Sequence, residues 1–338
     1  MSVLYRTYRP SKWSEVVGQD HIVGPLKEAI KNNRIAHAYL FSGGRGIGKT
    51  SIARIFAKSV GTNDEDIYEI DAASNRGIDD IRSLREHVSV MPFSSPYKVY
   101  IIDEVHMLSK DAWNALLKTL EEPPKHVIFI LATTELQKVP DTIVSRCETY
   151  SFQKPNREVI RKLIVEIAKK EGFTIDHSGA DLIAIFGDNS FRDALGTLQK
   201  VISTSKDKKI DREEVESITG APKASLVNDY IEALIKKDCD KALSVLSIVE
   251  SLGLNIGIYS TLILEKSRFI LLLQYSSASS ANIKDRVSPD DLQFISDLAK
   301  QKVLKTEHLV YLLDAVSDIN RSKIEILPLE LATVKICA

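Results

Sequence analysis

The sequence predicts an α/β domain built on a parallel sheet, followed by segments that are helical throughout. Between residues 38 and 134, short apolar stretches alternate with amphipathic ones. The apolar stretches are continuous, which is typical of strands buried on both faces of a parallel sheet. After residue 152 we find no further strand pattern, and helical periodicity continues to the end of the chain. We therefore expect a sheet domain first and helical domains after it.

The predicted elements of the sheet domain follow one another in alternation. The strands are "AYLFSG", "IYEIDA", "KVYIID" and "HVIFILATT", and the helices between them are "KTSIARIFAKSV", "IDDIRSLREHV" and "SKDAWNALLKTLEE". Ser109 is placed to cap the last of these helices. Ala112, Leu116 and Leu120 recur on one side of it, which predicts a buried face. The prolines of "EEPP" end the helix.

The helical part of the chain divides at a polar linker. "NREVIRKLIVEIAKKEGF" and "SFRDALGTLQKVIST" indicate a small helical domain, and "GAPKAS" follows it as a predicted linker. From about residue 224 the pattern is helical again, and "SPDDL" marks a helix start with Ser288 as the cap and Pro289 first in the helix. We expect domains at residues 1–152, 153–220 and 221–338.

Composition excludes several classes of protein. The chain has 338 residues, too many for one simple core, and its 44% hydrophobic and 27% charged content is ordinary for a folded protein. No apolar run reaches the roughly 18 residues of a membrane span, so no membrane association is expected. The net charge of −1 excludes a uniformly basic coat for nucleic acid. Three dispersed cysteines exclude a disulfide framework, and a cytoplasmic location is expected.

A glycine-rich loop predicts a nucleotide site. "GGRGIGKT" matches the pattern G-x-x-x-x-G-K-[ST] between a predicted strand and a predicted helix, a context that disfavours a chance glycine turn. Backbone N–H groups of such a loop converge on phosphate oxygens at the positive end of the helix. Lys49 is expected to pair with the β- and γ-phosphates, and Thr50 to ligate magnesium. The predicted nucleotide contacts are Gly43, Gly44, Arg45, Gly46, Ile47, Gly48, Lys49, Thr50 and Ser51.

An acidic pair supplies the second half of the site. "VYIIDE" carries Asp103 and Glu104 to the carboxyl end of a strand, where ligands bind in open α/β sheets. Alone, such a pair is usually a helix cap or a surface turn. Together with the glycine loop it predicts that Asp103 holds magnesium, largely through water, and that Glu104 orients or polarises the attacking water. His106 completes "DEVH", which has only a superficial likeness to a helicase motif, and we interpret it as structural.

Several longer stretches resemble one family, the gamma/tau subunits of the bacterial DNA polymerase III clamp loader, which are AAA+ ATPases. They include "YRTYRPSKWSEVVGQDHIV", "LLKTLEEPP", "ILATTELQKVPDTIVSRC" and "NSFRDALGTLQ", and the similarity covers roughly residues 5–220, with a weaker match at "LPLELATVKIC". The resemblance implies an AAA+ domain, a helical lid and a helical collar. It also implies a motor subunit that uses ATP and Mg²⁺ in a pentamer with other clamp-loader subunits and loads a sliding clamp on primed DNA.

The resemblance implies roles for individual residues. Thr134 matches sensor 1, beside the γ-phosphate, and Arg192 matches sensor 2, a lid arginine. Arg146, in "SRC", matches an arginine finger that acts in trans on the ATP of the neighbouring subunit. The alternative for Thr134 is a threonine that simply favours a strand. The alternative for Arg192 and Arg146 is a surface arginine in an ion pair, and such a pair stabilises a protein by about 0–1 kcal/mol. In the family, one segment covers the base of the bound nucleotide, and it matches Tyr8, Arg9, Pro10, Val17 and Gly18.

The resemblance also bears on DNA contacts and on zinc binding. Arg76 and Arg82 are the candidates for contacts with the DNA backbone, which position a duplex without reading its sequence; a solvated helix face is the alternative. Family members typically carry a four-cysteine zinc module after the phosphate-loop helix. Here "KSVGTNDEDIYEIDAAS" contains no cysteine, and structural zinc needs about four nitrogen or sulfur ligands. We predict no zinc.

Two other functions remain as alternatives. One is a non-hydrolysing structural subunit of a clamp loader, which the presence of Lys49, Thr50, Asp103 and Glu104 disfavours. The other is an AAA+ DNA translocase or helicase, such as a branch-migration motor. A winged-helix DNA domain of that class needs pairs of strands, and we find none predicted after residue 220.

Overall fold

The computed structural model describes residues 3–75, 77, 84, 86–205, 207–276, 283, 287–319 and 321–338. The chain divides into two compact units. The first comprises Met1–Val159 with Asn189–Asp193, and the second comprises Ile160–Asp188 with Ala194–Ala338. The three-domain division given above stays a prediction.

The first unit contains a sheet of five strands, all parallel, in the order β2-β3-β4-β1-β5. The strands are β1 Ala38–Ser42, β2 Ile67–Asp71, β3 Lys98–Asp103, β4 Val127–Thr133 and β5 Glu148–Ser151. The predicted α/β class is thereby confirmed. The order brings the carboxyl ends of β1, β4 and β3 side by side, because β4 lies between the other two.

The two edge strands differ from the prediction. The central strands are almost wholly buried, whereas β2 and β5 are mostly exposed or half-exposed. The prediction of burial on both faces is therefore wrong for β2, which lies at an edge of the sheet. β5 was not predicted, because "ETYS" lacks an apolar run and becomes a strand by pairing with β1 from Tyr39 onward.

Two apolar clusters cover the two faces of the sheet. Alternate residues of β1 enter different clusters: Leu40 lies in one, and Tyr39 and Phe41 lie in the other. The first cluster includes the predicted buried face of "SKDAWNALLKTLEE", with Leu116 fully buried. The second includes Phe56, from the helix after the glycine loop. Each such side chain contributes roughly 1.5–3 kcal/mol through burial, so both helices are held firmly against the sheet.

The described helices of the first unit are short, with 4 to 12 residues each. They are α1 Leu4–Thr7, α2 Asp20–Lys31, α3 Lys49–Ser59, α4 Lys110–Glu121 and α5 Asp141–Val144. Short 3-10 turns occur at Trp13–Glu15, Asp64–Asp66, Val105–Met107 and Leu136–Lys138. The Ser109 hydroxyl accepts from the Ala112 N–H at 3.2 Å, so the predicted cap of α4 is confirmed. Most of the predicted helix "IDDIRSLREHV" lies outside the described residues.

The rest of the chain is mainly helical. Its helices are α6 Arg157–Lys170, α7 His177–Phe186, α8 Phe191–Thr204, α9 Arg212–Thr219, α10 Ala224–Ile235, α11 Cys239–Ser251, α12 Ile256–Tyr275, α13 Pro289–Gln301, α14 Thr306–Ile319 and α15 Leu327–Cys337. The Ser288 hydroxyl accepts from the Asp291 N–H at 3.1 Å, which confirms the predicted cap of α13. Within the described ranges, no helix is both long enough and apolar enough to cross a bilayer.

The expectation that strands cease after Phe152 is wrong in one detail. β6, Thr174–Ile175, pairs in parallel with β7, Lys209–Ile210. Each strand has two residues, too few to show any alternation of apolar and polar side chains. Pairing between distant segments, and not local composition, creates them.

A buried ionic network joins helices of the second unit. The Lys266 ammonium lies 2.6 Å from Asp291 Oδ1 and 2.6 Å from Asn228 Oδ1. Arg212 donates to Asp291 Oδ2 at 3.2 Å and to Glu216 Oε1 at 2.8 Å. Burial lowers the pKa of Lys266, and the neighbouring Asp291 opposes that shift. The network therefore connects α9, α12 and α13 through paired charges, and α10 through the hydrogen bond to Asn228.

Candidate active site

The glycine loop lies between β1 and α3, as predicted. Gly43, Gly46 and Gly48 have φ values of 143°, 70° and 108°. Side chains rarely tolerate this region, so the winding of the loop depends on glycine at these positions. Gly48 immediately precedes α3 and Lys49 is its first residue, which leaves the first N–H groups of the helix directed toward the loop.

Gly43→Ala is expected to destabilise the ligand-free chain by roughly 1–3 kcal/mol. A Cβ at Gly43 would lie 2.7 Å from the Phe152 carbonyl oxygen and 2.9 Å from Ile47 Cδ1. Gly44→Ala is the matched control, because a Cβ there has no neighbour nearer than 3.9 Å. Denaturant unfolding of both variants measures the difference. Equal free energies of unfolding for the two variants would contradict this account of the loop.

Lys49 lies inside the loop. Its ammonium donates to the Gly43 carbonyl at 2.7 Å and to the Gly44 carbonyl at 2.8 Å, and only 5% of the residue is exposed. Burial lowers the pKa of Lys49, while Glu104 and Asp103 raise it. The loop thus holds a poorly solvated cation against neutral carbonyl oxygens. Such a cation interacts more strongly with a phosphate oxygen than with a carbonyl oxygen.

Thr50 and Asp103 meet across the end of the sheet. The Thr50 hydroxyl, on α3, donates to Asp103 Oδ2 at 2.8 Å, and the other carboxylate oxygen accepts from the Glu104 N–H at 3.0 Å. A hydroxyl and a carboxylate are the hard oxygen ligands that Mg²⁺ takes in nucleotide sites. The residues present therefore fit the magnesium ion that the sequence predicts.

Glu104 and Thr134 are also in contact. Glu104 has a left-handed backbone, with φ 49°, which for a non-glycine residue costs on the order of 1–3 kcal/mol and points to a functional position. Its Oε2 accepts from the Thr134 hydroxyl at 2.8 Å and from the Thr134 N–H at 3.3 Å. The sheet order explains this contact, because the residues follow the adjacent strands β3 and β4.

Further cations surround the loop. Arg192, in the first turn of α8, belongs to the first unit, and its guanidinium lies 5.9 Å from the centre of the Tyr5 ring. The Gly46 carbonyl accepts from the Phe191 N–H at 3.0 Å, which ties this turn to the loop. Burial lowers the pKa of Lys49 and of Arg9, and the charge of Arg192 lowers both further. This concentration of positive charge suits a polyanion such as a triphosphate.

The remaining predicted nucleotide residues differ in exposure. Tyr8 and Pro10 are half-buried, whereas Val17 and Gly18 are exposed, so they are not core positions. Arg45 is exposed and Ile47 is buried beneath the loop, while Ser51 is half-buried on α3. Their contacts with a nucleotide stay predictions.

Arg146 makes contacts within its own chain. Its Nη2 lies 2.8 Å from Glu121 Oε1, and its Nη1 donates to the Thr142 carbonyl at 2.7 Å. The side chain is 35% exposed. Within the part of the chain that the structure describes, it has no contact with the phosphate loop. The surface ion pair weighed as the alternative is thus present, and the action in trans stays a prediction.

The structure leaves two predictions without a test. Arg76 and Arg82, the candidate DNA contacts, lie outside the described residues. No group of three or more histidine, cysteine or acidic side chains is arranged for metal binding within the described residues, and the expected absence of zinc stays a prediction. One feature of the site was not predicted from the sequence: His106, interpreted as structural, contacts Glu104. Its position in "DEVH", two residues after Glu104, was the available signal.

Comparisons with known proteins find similarity to DNA polymerase III subunits. The family model described as DNA polymerase III, delta subunit matches residues 18–76 and 61–156, and the one described as DNA polymerase III subunits gamma and tau domain III matches residues 210–338. The DNA polymerase III subunit tau of Bacillus subtilis is 44% identical over 265 residues, which are 72% of this chain and 47% of that protein. The subunit gamma of Buchnera aphidicola is 35% identical over 297 residues, covering 82% of this chain and 81% of that protein.

Similarity extends to a further tau subunit and to a solved structure. The subunit tau of Escherichia coli is 36% identical over 301 residues, covering 83% of this chain and 47% of that protein. This chain spans about half the length of the tau relatives. The solved structure of RuvB from Thermotoga maritima aligns with a TM-score of 0.54 at 19% identity, over 73% of this chain and 86% of that one. At that identity the likeness concerns the fold alone.

Proposed function

Because the chain belongs to the gamma/tau family of DNA polymerase III subunits, we propose that it is the ATP-driven motor subunit of a clamp loader. In this proposal, ATP binding and DNA-triggered hydrolysis are coupled to the loading of a sliding clamp on primed DNA. One observation carries it: Lys49, the Thr50–Asp103 pair and the Glu104–Thr134 pair converge at the carboxyl ends of β1, β3 and β4. A chain that only supports other subunits has no need for this combination.

Binding of the triphosphate follows from the loop geometry. The N–H groups of residues 43–50 and the Lys49 ammonium receive the phosphate oxygens, with Lys49 exchanging the Gly43 and Gly44 carbonyls for stronger acceptors. Thr50 and Asp103 would hold magnesium, which neutralises phosphate charge when bound. Tyr8, Arg9 and the other residues predicted to cover the base complete the site in this proposal.

Hydrolysis depends on groups placed around the γ-phosphate. Glu104 orients the attacking water and accepts its proton, and Thr134 donates to Glu104 and fixes its direction. Arg192 adds a second positive charge near Lys49. Arg146 of an adjacent subunit supplies a guanidinium that stabilises the charge developing on the transferred phosphoryl group. Each ATP site is then shared by two subunits.

The partners and the location are part of the proposal. The chain is proposed to assemble with other clamp-loader subunits in a pentamer, to act on a sliding clamp, and to contact primed DNA through Arg76 and Arg82. We also propose that residues 1–152, 153–220 and 221–338 act as ATPase, lid and collar, that the protein is cytoplasmic, and that it carries no zinc. The helicase alternative rests on likeness of fold alone.

Clamp loading with the complete set of subunits tests the proposal. We expect the purified chain, with its partner subunits, to retain a fluorescent clamp on primed DNA with blocked ends only when ATP is present. Turnover of ATP should rise when clamp and primed DNA are added together. A complete complex in which this chain turns over no ATP would support the structural subunit instead. Strand separation in the absence of any clamp would support the helicase.

A further inference from the structure

His106 lies at the junction of two strand ends. It belongs to the 3-10 turn that follows Glu104, and its side chain is 6% exposed. Its Nδ1 lies 3.0 Å from the Thr133 hydroxyl oxygen and 3.4 Å from Glu104 Oε2, and its Nε2 lies 3.3 Å from Glu135 Oε1. The ring thus lies between the carboxylate proposed to orient water and a second carboxylate that follows β4.

The other two partners of the ring, Thr133 at Nδ1 and Glu135 at Nε2, are themselves fixed. The Thr133 hydroxyl is fully buried and accepts from the Glu135 N–H at 3.0 Å. The Glu135 carboxylate also accepts from the Lys138 ammonium at 2.9 Å. A histidine ring takes its orientation from the partner of its second nitrogen. Glu135 and Thr133 are therefore anchors that can hold the ring in one orientation toward Glu104.

Glu104 requires such an orienting contact. Its side chain has several rotatable bonds, and Thr134 contacts only Oε2. Among the described residues, the other carboxylate oxygen has no hydrogen-bond partner, which leaves it available to a water molecule. The approach of His106 Nδ1 to Oε2, at 3.4 Å, adds a second residue to the one oxygen that Thr134 contacts, which restricts rotation of the carboxylate and so fixes the direction of its other oxygen.

We propose that His106 is a positioning residue for ATP hydrolysis, which directs the Glu104 carboxylate while Glu135 and Thr133 hold the imidazole in place. The inference rests on the proposed function, since it assigns His106 a part in that reaction. It adds a group that touches neither nucleotide nor metal. Misplacement of a catalytic group by about 1 Å can lower a rate by roughly 100-fold, and loss of such supporting contacts typically lowers activity by about 10- to 100-fold.

Three substitutions at His106 separate positioning from simple packing. His106→Asn places an amide near the position of Nδ1, and His106→Gln places one near the position of Nε2. His106→Ala removes both. We expect the alanine variant to lower kcat for ATP in the complete complex with clamp and primed DNA by about 10- to 100-fold, with KM within about twofold of wild type. The asparagine variant should recover most of kcat, and the glutamine variant should not.

Controls keep the test independent of folding. His37→Ala removes an exposed histidine and should match wild type. Glu135→Gln keeps the shape of the anchor and should lower kcat by about 10-fold even if His106→Ala fails to fold. The inference would be overturned by an unchanged kcat in His106→Ala, or by a rise in its KM as large as the fall in its kcat. Recovery of kcat in the glutamine variant but not in the asparagine variant would also overturn it. If Glu104→Gln hydrolyses ATP at the wild-type rate, the proposed function itself fails, whatever the His106 variants do.

Discussion

Replacing Arg146 by alanine is expected to lower ATP turnover of the assembled complex by roughly 10³- to 10⁵-fold. The guanidinium is permanently charged and planar, so it can neutralise charge on a phosphoryl group at a subunit boundary. Its present contacts do not prevent this. An exposed ion pair such as Arg146–Glu121 is worth about 0–1 kcal/mol, so little free energy is lost when the arginine leaves Glu121 for a neighbouring nucleotide.

A mixture of two inactive variants measures the effect across the interface. Arg146→Ala lacks the finger, and Lys49→Ala lacks the phosphate contact. In mixed assemblies, some interfaces combine an intact loop with an intact Arg146, so turnover should reappear. Glu121→Ala is the control, since it breaks the same ion pair and keeps the arginine. If Glu121→Ala were as inactive as Arg146→Ala, or the mixture gave no turnover, the ion pair within the chain would be the function of Arg146.

Glu104→Gln is expected to lower the rate of the hydrolysis step by about 10²- to 10⁴-fold and to leave nucleotide affinity nearly unchanged. An amide oxygen still accepts from the Thr134 hydroxyl, so the fold at the ends of β3 and β4 is preserved. The amide is far less basic than the carboxylate and cannot take a proton from water. Single-turnover hydrolysis and equilibrium binding of ATP measure the two quantities separately.

The control for this variant is Glu122→Gln, which makes the same chemical change at an exposed residue after α4. It should leave both rate and affinity at wild-type values. A single-turnover rate in Glu104→Gln equal to that of the control would remove Glu104 from the reaction. A loss of affinity as large as the loss of rate would assign it to binding instead.

The parts of the site that the sequence predicted are those with local signals. The phosphate loop and the Asp103–Glu104 pair each lie within a short motif, and Ser109 caps α4 within three residues. No short motif of this kind marks Thr134 or Arg192, and both were predicted from the family resemblance alone. The contact between Thr134 and Glu104 follows from strand order, which brings together residues 30 positions apart.

The parts that could not be predicted depend on distant partners. β5 is a strand because it lies against β1, and β6 and β7 exist only as a pair. From the sequence, His106 is interpreted as structural because no other helicase motif accompanies it. The sequence does not show that Thr133 and Glu135 lie beside it. The position of a side chain between two strand ends becomes visible only when the order of the strands is known.

The buried ionic network has a mechanical consequence. Arg212 precedes the polar segment "GAPKAS", whereas Lys266 and Asp291 follow it, yet all three are paired with one another through Asp291. Separating them would leave a buried charge without its partner, which costs about 3–5 kcal/mol of stability. The segment around residue 220 is therefore stiffened against bending despite its composition. We expect a displacement of α9 to move α13 with it, because the Arg212–Asp291 pair joins the two helices.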